Sequence, residues 1–348
     1  MQNLLSRLGV EIPIIQAPMA GAQGVELAIA VAEAGGLGSL PCAMISPEEI
    51  GRQVALFRER TKAPLNLNFF AHRASAPDAA RDARWMARLA PYYAELGLEP
   101  VPSGVGRRPF DDEMCALVEG LRPEIVSFHF GLPEDALLER VRAADAQVWS
   151  SATTIEEARW LDAAGVDAII AQGAEAGGHR GMFLTEDVST QIGLFSLLPQ
   201  IVDAVKVPVI AAGGVADARG VAAAFGLGAS AMQIGTAYLF CPEAKISPVH
   251  RAALRQGGET AITNLMTGRP ARGLMNRIMR ELGPMNAEAP AFPNIAPMIA
   301  PLRAKAESLG RGDFTSLWAG QSFALGREMG AAELTRTLWA DALEMTRR

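Results

Sequence analysis

Lysine is nearly absent from this 348-residue chain, occurring only at 62, 206, 245 and 305, and histidine, tyrosine and cysteine are at least as scarce. Arginine carries most of the positive charge. The net charge is −6, and no basic run appears anywhere. An acidic balance without a basic patch speaks against nucleic acid and against an anionic membrane surface as partners. The cysteines, Cys42, Cys115 and Cys241, are odd in number and far apart, with no pair at metal-ligand spacing. Reduced thiols in a cytosol are the simplest reading, and neither a disulfide framework nor a metal is expected. No apolar run approaches the roughly 20 residues of a spanning helix. The first residues, MQNLLSRLGVEIPII, lack the blocks of a signal peptide. The protein is expected to be cytoplasmic.

What is present is apolar bulk in short pieces. Hydrophobic residues make up 49% of the chain, enough for a large single core. Eight apolar runs bounded by Gly or Pro read as strands: 14–19, 37–41, 65–70, 125–131, 147–152, 167–173, 207–214 and 230–238. They are apolar at nearly every position rather than alternating, as befits parallel strands covered on both faces. Helix-like stretches lie between them. Thr154 and Glu157 form a capping box for a helix that stops at Gly165, and Asp217 is an N-cap for the helix ending near Gly226. The pattern predicts an α/β fold, a (β/α)8 TIM barrel; an open doubly wound sheet is the alternative.

Two stretches break the rhythm. About 55 residues separate the third and fourth strands, including SGVGRRPF (103–110), and residues 241–320 are rich in Pro, Met and Gly. Long segments outside such a rhythm tend to be lids or binding elements. Both are expected to cap the carboxyl ends of the strands. The barrel would then occupy 1–240 and 321–348, with 241–320 as a substrate-binding cap segment and a last helix running from Gln321 to Met345.

Reacting groups in such barrels sit past the carboxyl ends of the strands. There the sequence places Ala17, Pro18 and Met19, Asn68, His129, Gln172, the loop Gly177-Gly178-His179, the pair Gly213-Gly214, and Gln233-Ile234-Gly235-Thr236. Glycine lets backbone N–H groups approach an anion, and a following helix N-terminus adds a favourable dipole. Gly213 and Gly214 would also serve a plain tight turn, and their pairing with a second Gly-rich loop tips the reading toward phosphate. A histidine at 179 would exchange a proton near neutral pH or donate to an anionic substrate. His129 reads equally as a satisfied core residue and as a ligand contact. His72 and His250 are left to supporting roles. Cys42 lacks a neighbour that would activate it and reads as a buried thiol.

The stretches QAPMAG (16–21), AEAGGLGSL (32–40), LNLNFF (65–70), QGAEAGGHRG (172–181), VIAAGGVADARG (209–220) and QIGTAYLF (233–240) together resemble the nitronate monooxygenases, formerly 2-nitropropane dioxygenases. FDDEMCALVEGLRPEIVSFHFG (110–131) and SLWAGQSFAL (316–325) resemble the class I branch. The resemblance implies FMN, no metal, and oxidation of alkyl nitronates by O2 to a carbonyl compound and nitrite. By motif, Asn68, Gln172, Gly177, Gly214 and Gln233 to Thr236 would hold FMN, and Ala17, Pro18 and Met19 would line its ring. His179 corresponds to the family's catalytic histidine and His129 to a second active-site histidine. The expected partners are a small-molecule substrate and O2, with a homodimer left open. One departure stands out. Class I members carry tyrosines and a lysine in the cap, whereas AFPNIAPMIAP (291–301) has neither, which points to a more apolar substrate or to one that is not a nitronate. Enoyl-ACP reductases and NADH:quinone reductases share the Gly-His loop and would use NAD(P)H. A flavin-free barrel acting on a phosphorylated metabolite and a non-catalytic binding protein are the remaining alternatives.

Overall fold

In a computed structural model, which describes residues 4–347 apart from 74, 77, 103 and 105–107, eight parallel strands form one sheet. They are β1 (Ile14–Gln16), β2 (Gly38–Pro41), β3 (Leu65–Phe70), β4 (Ile125–His129), β5 (Gln147–Ala152) and β6 (Ala168–Gln172), then β8 (Val209–Ala212) and β9 (Ala231–Ile234). The two-residue β7 (Gly178–His179) lies outside the sheet. β1 pairs with β9, and the barrel closes where Leu37 N donates to Ile14 O and Gln16 N to Leu37 O, both at 2.9 Å. Beyond that point side chains replace the ladder. Ser39 N donates to Gln16 Oε1 at 3.1 Å, while Gln23 Nε2 donates to Ser39 O at 2.8 Å and Met19 N to Gln23 Oε1 at 2.9 Å. Every expected barrel strand is found, β3 and β5 with the expected bounds and the others shortened by one to four residues at one or both ends. Gly213 and Gly214, with φ of 95° and 73°, take the chain off β8, and a 3-10 turn at Thr236–Phe240 follows β9.

Side-chain alternation divides the barrel. Leu65, Leu67 and Phe69 of β3 point outward into the shell shared with the helices, as do Val126 and Phe128 of β4. Ile15, Leu37, Ile125, Trp149, Ile170 and Ile210 fill the lower interior, and Leu4, Leu5 and Val10 plug its amino end. The upper interior is polar instead: Asn66 Nδ2 donates to Ser39 Oγ at 3.0 Å, and Asn68 Nδ2 to Ser127 Oγ at 2.9 Å. A parallel barrel needs apolar packing for stability, so this polar layer at the strand ends marks where the core gives way to a site.

The helical ring comprises α1 (Val25–Glu33), α2 (Pro47–Arg60), α4 (Asp112–Leu121), α5 (Asp135–Ala143), α6 (Ile155–Ala163), α7 (Leu194–Ala204), α8 (Ala218–Gly226) and α12 (Ala331–Thr346). α12 packs between α8 and α1 in the place of the eighth barrel helix. It starts at Ala331, not at Gln321, because Gln321 N donates to Glu175 O and Ser322 Oγ to Gly214 O, tying that stretch to the strand-end loops. The insertion after β3 splits in two. α3 (Ala79–Glu95) leaves the ring, whereas α4 joins it through Cys115 and Val118. Ser103 and residues 105–107 of the intervening stretch lie outside the described residues. Trp85, Leu89, Tyr92 and Tyr93 of α3 pack against Ile278 and Met279 of α10 (Arg277–Leu282) and against Met298 and Leu302 of α11 (Ala296–Ser308). This is a hydrophobic cluster separate from the barrel's. Between them α9 (Pro248–Gln256) and the hairpin β10 (Thr260–Thr263) and β11 (Ala271–Leu274) lead the chain back, and β11 pairs antiparallel with β7.

α6 shows how a local signal was reused. Thr154 Oγ1 accepts from Glu157 N at 3.2 Å, as the capping box predicts. The Glu157 carboxylate, wholly buried, turns elsewhere: it accepts from Thr153 N and Oγ1 at 2.7 Å, and from Phe183 N at 2.5 Å and Leu184 N at 3.1 Å. It thereby ties the end of β5 to the chain leaving the β6 loop. Glu157→Gln replaces one of these acceptor oxygens by a donor facing buried N–H groups. It should cost about 2–4 kcal/mol of stability, read as a lower midpoint in chemical denaturation; an unchanged midpoint would remove this tie from the account.

Candidate active site

One residue from each strand end, or from the loop just past it, faces a single cavity of about 890 Å3: Ala17, Asn68, His129, Ser151, Gln172, Gly213 and Gln233 among them. The volume lies toward the upper end of small-molecule sites, roughly 300–1,000 Å3. Its outer wall comes from the segment after β9, including Thr267, Pro297, Ile299, Arg303, Glu307 and Trp318. The cap wall is therefore not uniformly apolar, as the missing tyrosines and lysine suggested. Arg303 and Glu307 reach the cavity from α11, and Glu307 accepts from Thr315 Oγ1 at 2.8 Å.

The loop after β6 is held from several sides. Gln172 Nε2 donates to His179 O at 3.0 Å, and its Oε1 accepts from Gly181 N at 2.8 Å. Arg180, wholly buried, donates to Gly173 O at 2.7 Å, Gln172 O at 2.8 Å and Gln191 Oε1 at 2.9 Å. Burial, followed by the nearby Arg272, pulls the Arg180 guanidinium down to about 10. Arg272 Nε in turn donates to Ala174 O at 2.9 Å. These arginines satisfy carbonyls that a strand end turned into a loop would otherwise bury unpaired.

His179 stands at the end of this scaffold. Its Nε2 lies 2.9 Å from Thr267 Oγ1, and the rings of Phe70, Phe130, Phe292 and Trp318 surround it at centroid distances of 5.7–5.9 Å. The Arg269 guanidinium covers the Phe130 ring at 4.1 Å. His129, expected beside His179 as a catalytic group, has both ring nitrogens engaged by the protein: Nδ1 with Ser151 Oγ at 3.0 Å and Nε2 with the His179 carbonyl at 3.2 Å. A carbonyl only accepts, so Nε2 carries the proton and the Ser151 hydroxyl donates to Nδ1. His129 is thus placed to position His179. Thr267, Phe292 and Trp318 were not singled out in the sequence. Trp318 sits inside the quoted SLWAGQSFAL, and Thr267 had no local signal at all.

The glycines explain themselves by geometry. A Cβ at Gly177 would come within 2.6–2.7 Å of the Ala319 and Gly320 backbone. At Gly213 and Gly214 the positive φ alone demands glycine. Around them Thr236 Oγ1 accepts from Gly320 N at 3.0 Å, and Gly178 pairs with Arg272 across β7 and β11. The helix dipole expected to favour an anion here is already used, because Asp217 accepts from Arg219 N at 3.0 Å and Gly220 N at 3.2 Å at the start of α8. Any anion in this corner falls to the backbone of 213–216 and 235–236, which lines the cavity. Pro18, Met19, Gly235 and Thr236 line it too. Ile234 does not: its side chain is buried in the barrel shell, and its carbonyl accepts from Ala17 N at 2.8 Å. Gln233 Oε1 is buried without a hydrogen-bond partner. Cys42 is buried, and burial pushes its thiol well above the ordinary range, against a nucleophilic role. Among the described residues no group of three or more His, Cys, Asp or Glu side chains converges as a metal site would require.

Burial holds His129 and His250 down to about 4, against an ordinary 6.5. His250 Nε2 lies 3.1 Å from Trp318 O. The unfolded chain binds protons at both sites as pH falls below 6.5, while the folded chain does not until about 4. Stability is therefore complete above the first value and declines toward the second, by up to about 1.4 kcal/mol per pH unit for each histidine. Thermal midpoints between these limits should fall less steeply in His250→Asn than in the wild type. Equal slopes would mean that His250 is not held neutral.

A sequence profile of the family described as nitronate monooxygenase matches residues 2–341. The nitronate monooxygenase of Pseudomonas aeruginosa is 41% identical over 338 residues, covering 95% of this chain and 96% of that one. That of Paraburkholderia phytofirmans is 40% identical, covering 96% and 93%. Among solved structures, nitroalkane oxidase from Streptomyces ansochromogenes matches with a TM-score of 0.91 at 38% identity over 99% of both chains. FabK from Thermotoga maritima matches more distantly, at 0.74 and 27% over 99% of this chain and 96% of that one. With the profile spanning nearly every residue and the relatives aligned from end to end, the chain belongs to the nitronate monooxygenase family.

Proposed function

We propose that the protein is an FMN-dependent nitronate monooxygenase, oxidising alkyl nitronates with O2 to a carbonyl compound and nitrite and accepting neutral nitroalkanes in addition. The observation that carries this reading is His179, fixed through its own backbone, over a cavity floored by amides and glycines. The residues present fit a flavin mononucleotide. The glycine-rich backbone at 213–214 and 235–236 would hold the phosphate, and the amides of Asn68, Gln172 and Gln233 would meet the polar edge of the ring, with the unpaired Gln233 Oε1 available as an acceptor. Ala17, Pro18 and Met19 would form the wall against the ring. FMN, when bound, supplies an electron acceptor for the substrate and a route for those electrons to O2.

The chain's own part is placement and one proton. Phe70, Phe130, Phe292 and Trp318 make a water-poor corner suited to an alkyl group, in which His179 is the polar centre. With a nitronate the imidazole, once protonated, balances the anion. With a neutral nitroalkane it accepts the α proton, the C–H electron pair passing into the nitro group. His129, held neutral by burial, keeps the His179 carbonyl in place and takes no proton in this range. The name of the Streptomyces relative, a nitroalkane oxidase, supports including neutral nitroalkanes. The second reading is an NAD(P)H-dependent flavin reductase, and the likeness to FabK favours keeping it in the test.

Anaerobic mixing of the purified protein with ethylnitronate, propionate 3-nitronate and NADH in separate reactions should bleach the flavin with a nitronate alone. Rapid bleaching by dilute NADH but by neither nitronate would overturn the proposal in favour of the reductase. His179→Asn should retain the yellow cofactor and lose about 100-fold or more in turnover of a neutral nitroalkane, with a smaller loss for the preformed nitronate; turnover at the wild-type rate would take His179 out of the mechanism.

A further inference from the structure

The cavity is larger than a short nitronate needs, and the surplus is apolar. The walls assigned above to a flavin all come from the barrel: residues 17–19, Asn68, Gln172, Gln233 and the backbone of 213–216 and 235–236. The cap side of the same cavity of about 890 Å3 is lined by Met266, Pro293, Ala296, Pro297, Ile299 and Ala300. None of these carries a strong hydrogen-bonding side chain. Apolar walls facing water are unfavourable, and sites for small molecules bury roughly 70–90% of the ligand's surface. The extent of such a wall therefore reports the extent of what fills it. Nitroethane, with its reacting carbon in the aromatic corner around His179, would leave this side bare.

The helix α11 has two apolar faces. Met298, Leu302 and Ala306 pack into the cap's own cluster, whereas Ala296, Pro297 and Ala300 stay half-buried along the cavity. A helix that only had to cover a polar site would make its second face polar. This one does so only farther on, where Arg303 and Glu307 reach the cavity. One end of the apolar side is set by Phe292, whose ring lies 5.7 Å from that of His179. The other is set by Arg303, which is exposed at the rim. At a rise of about 1.5 Å per residue, the helix from Ala296 to Arg303 spans about 10 Å. An extended hydrocarbon advances about 1.25 Å per carbon, from bonds of about 1.5 Å at near-tetrahedral angles. About eight carbons cover the distance.

We propose that the substrate is a medium-chain alkyl nitronate of about eight carbons, its tail laid along the cap-side wall from the aromatic corner toward Arg303. This length is an addition to the nitronate reading above and rests on it. Tail and wall leave water together, and each methylene fully buried tightens binding by about fourfold. Beyond Arg303 the wall turns charged, so methylenes past that point gain nothing. The cap thereby selects substrate by length, and the barrel supplies the reacting groups.

Straight-chain carboxylates from acetate to dodecanoate carry the planar two-oxygen anionic head of a nitronate but lack its reactive carbon, so they probe the cavity without turnover. Isothermal titration of the purified protein with this series should show Kd falling about two- to fourfold per methylene, up to about eight carbons, and levelling beyond. For the matching 1-nitronates kcat/KM should climb and level at the same length. Ala300→Phe puts a ring across the apolar side and should bring both plateaus back to about five carbons. A wild-type titration that is flat, or tightest at two or three carbons, overturns the inference whether or not the phenylalanine variant folds. So does a rise that continues undiminished to dodecanoate, which marks non-specific apolar association. A plateau unmoved in a folded Ala300→Phe also overturns it, because the tail then lies elsewhere. If no nitronate is oxidised while carboxylate affinity still climbs and levels as described, the nitronate reading falls and the alkyl-chain site stands.

Discussion

The amide of Gln172 is the constraint on which the site depends. At the last position of β6 it bridges outward in two directions, donating to the carbonyl of His179 and accepting from the N–H of Gly181. A glycine-rich loop is thereby pinned at His179 and two residues beyond it. Every other restraint on that loop compounds this one. The buried Arg180 holds the carbonyls that β6 leaves unpaired, Arg272 holds the next, and His129 approaches the same His179 carbonyl from β4. A catalytic group needs placement to a fraction of an ångström, and loops seldom supply it unaided. Here the backbone is fixed first and the side chain inherits its position.

Barrel and cap divide the remaining work by what each can offer. Strand ends are rigid and close together, so they carry the ring of amides and small residues. The cap has its own hydrophobic cluster, built from α3, α10 and α11 around Trp85, Tyr93, Met279 and Leu302. It contributes the aromatic walls of Phe292 and Trp318, and the Thr267 hydroxyl. The tyrosines of α3 are spent inside this cluster, where Tyr92 donates to Glu281 and Tyr93 to Met298 O. They are held away from substrate. In their stead α11 turns Arg303 and Glu307 toward the cavity, which gives this chain a mixed-charge outer wall.

Much of this was legible in one dimension. Continuous apolar runs between glycines and helix caps specify buried parallel strands, and Asn66 and Asn68 in β3 were polar where a core strand should not be. Polar residues there require a partner or a ligand. Glycines at 213 and 214 were readable because positive φ admits little else. Less legible were the ends of elements. The start of α12 shifted by ten residues from Gln321 to Ala331, since the intervening chain is held by bonds to Glu175 and Gly214 far away in sequence. The insertion after β3 divided between cap and ring for a similar reason: α4 has an apolar face that fits the barrel shell, and α3 has one that fits α11.

Sequence alone determined the barrel, its polar mouth and the candidacy of His179, because those follow from local periodicity and from residue types that backbone geometry demands. Tertiary structure alone decided that both ring nitrogens of His129 are engaged, by Ser151 and by the His179 carbonyl. It also kept Ile234 in the shell and brought Thr267, 88 residues away, to the imidazole. Those outcomes depend on which lone pairs and protons meet across the closed barrel, and a linear pattern does not encode distances between segments that come together only when the core packs.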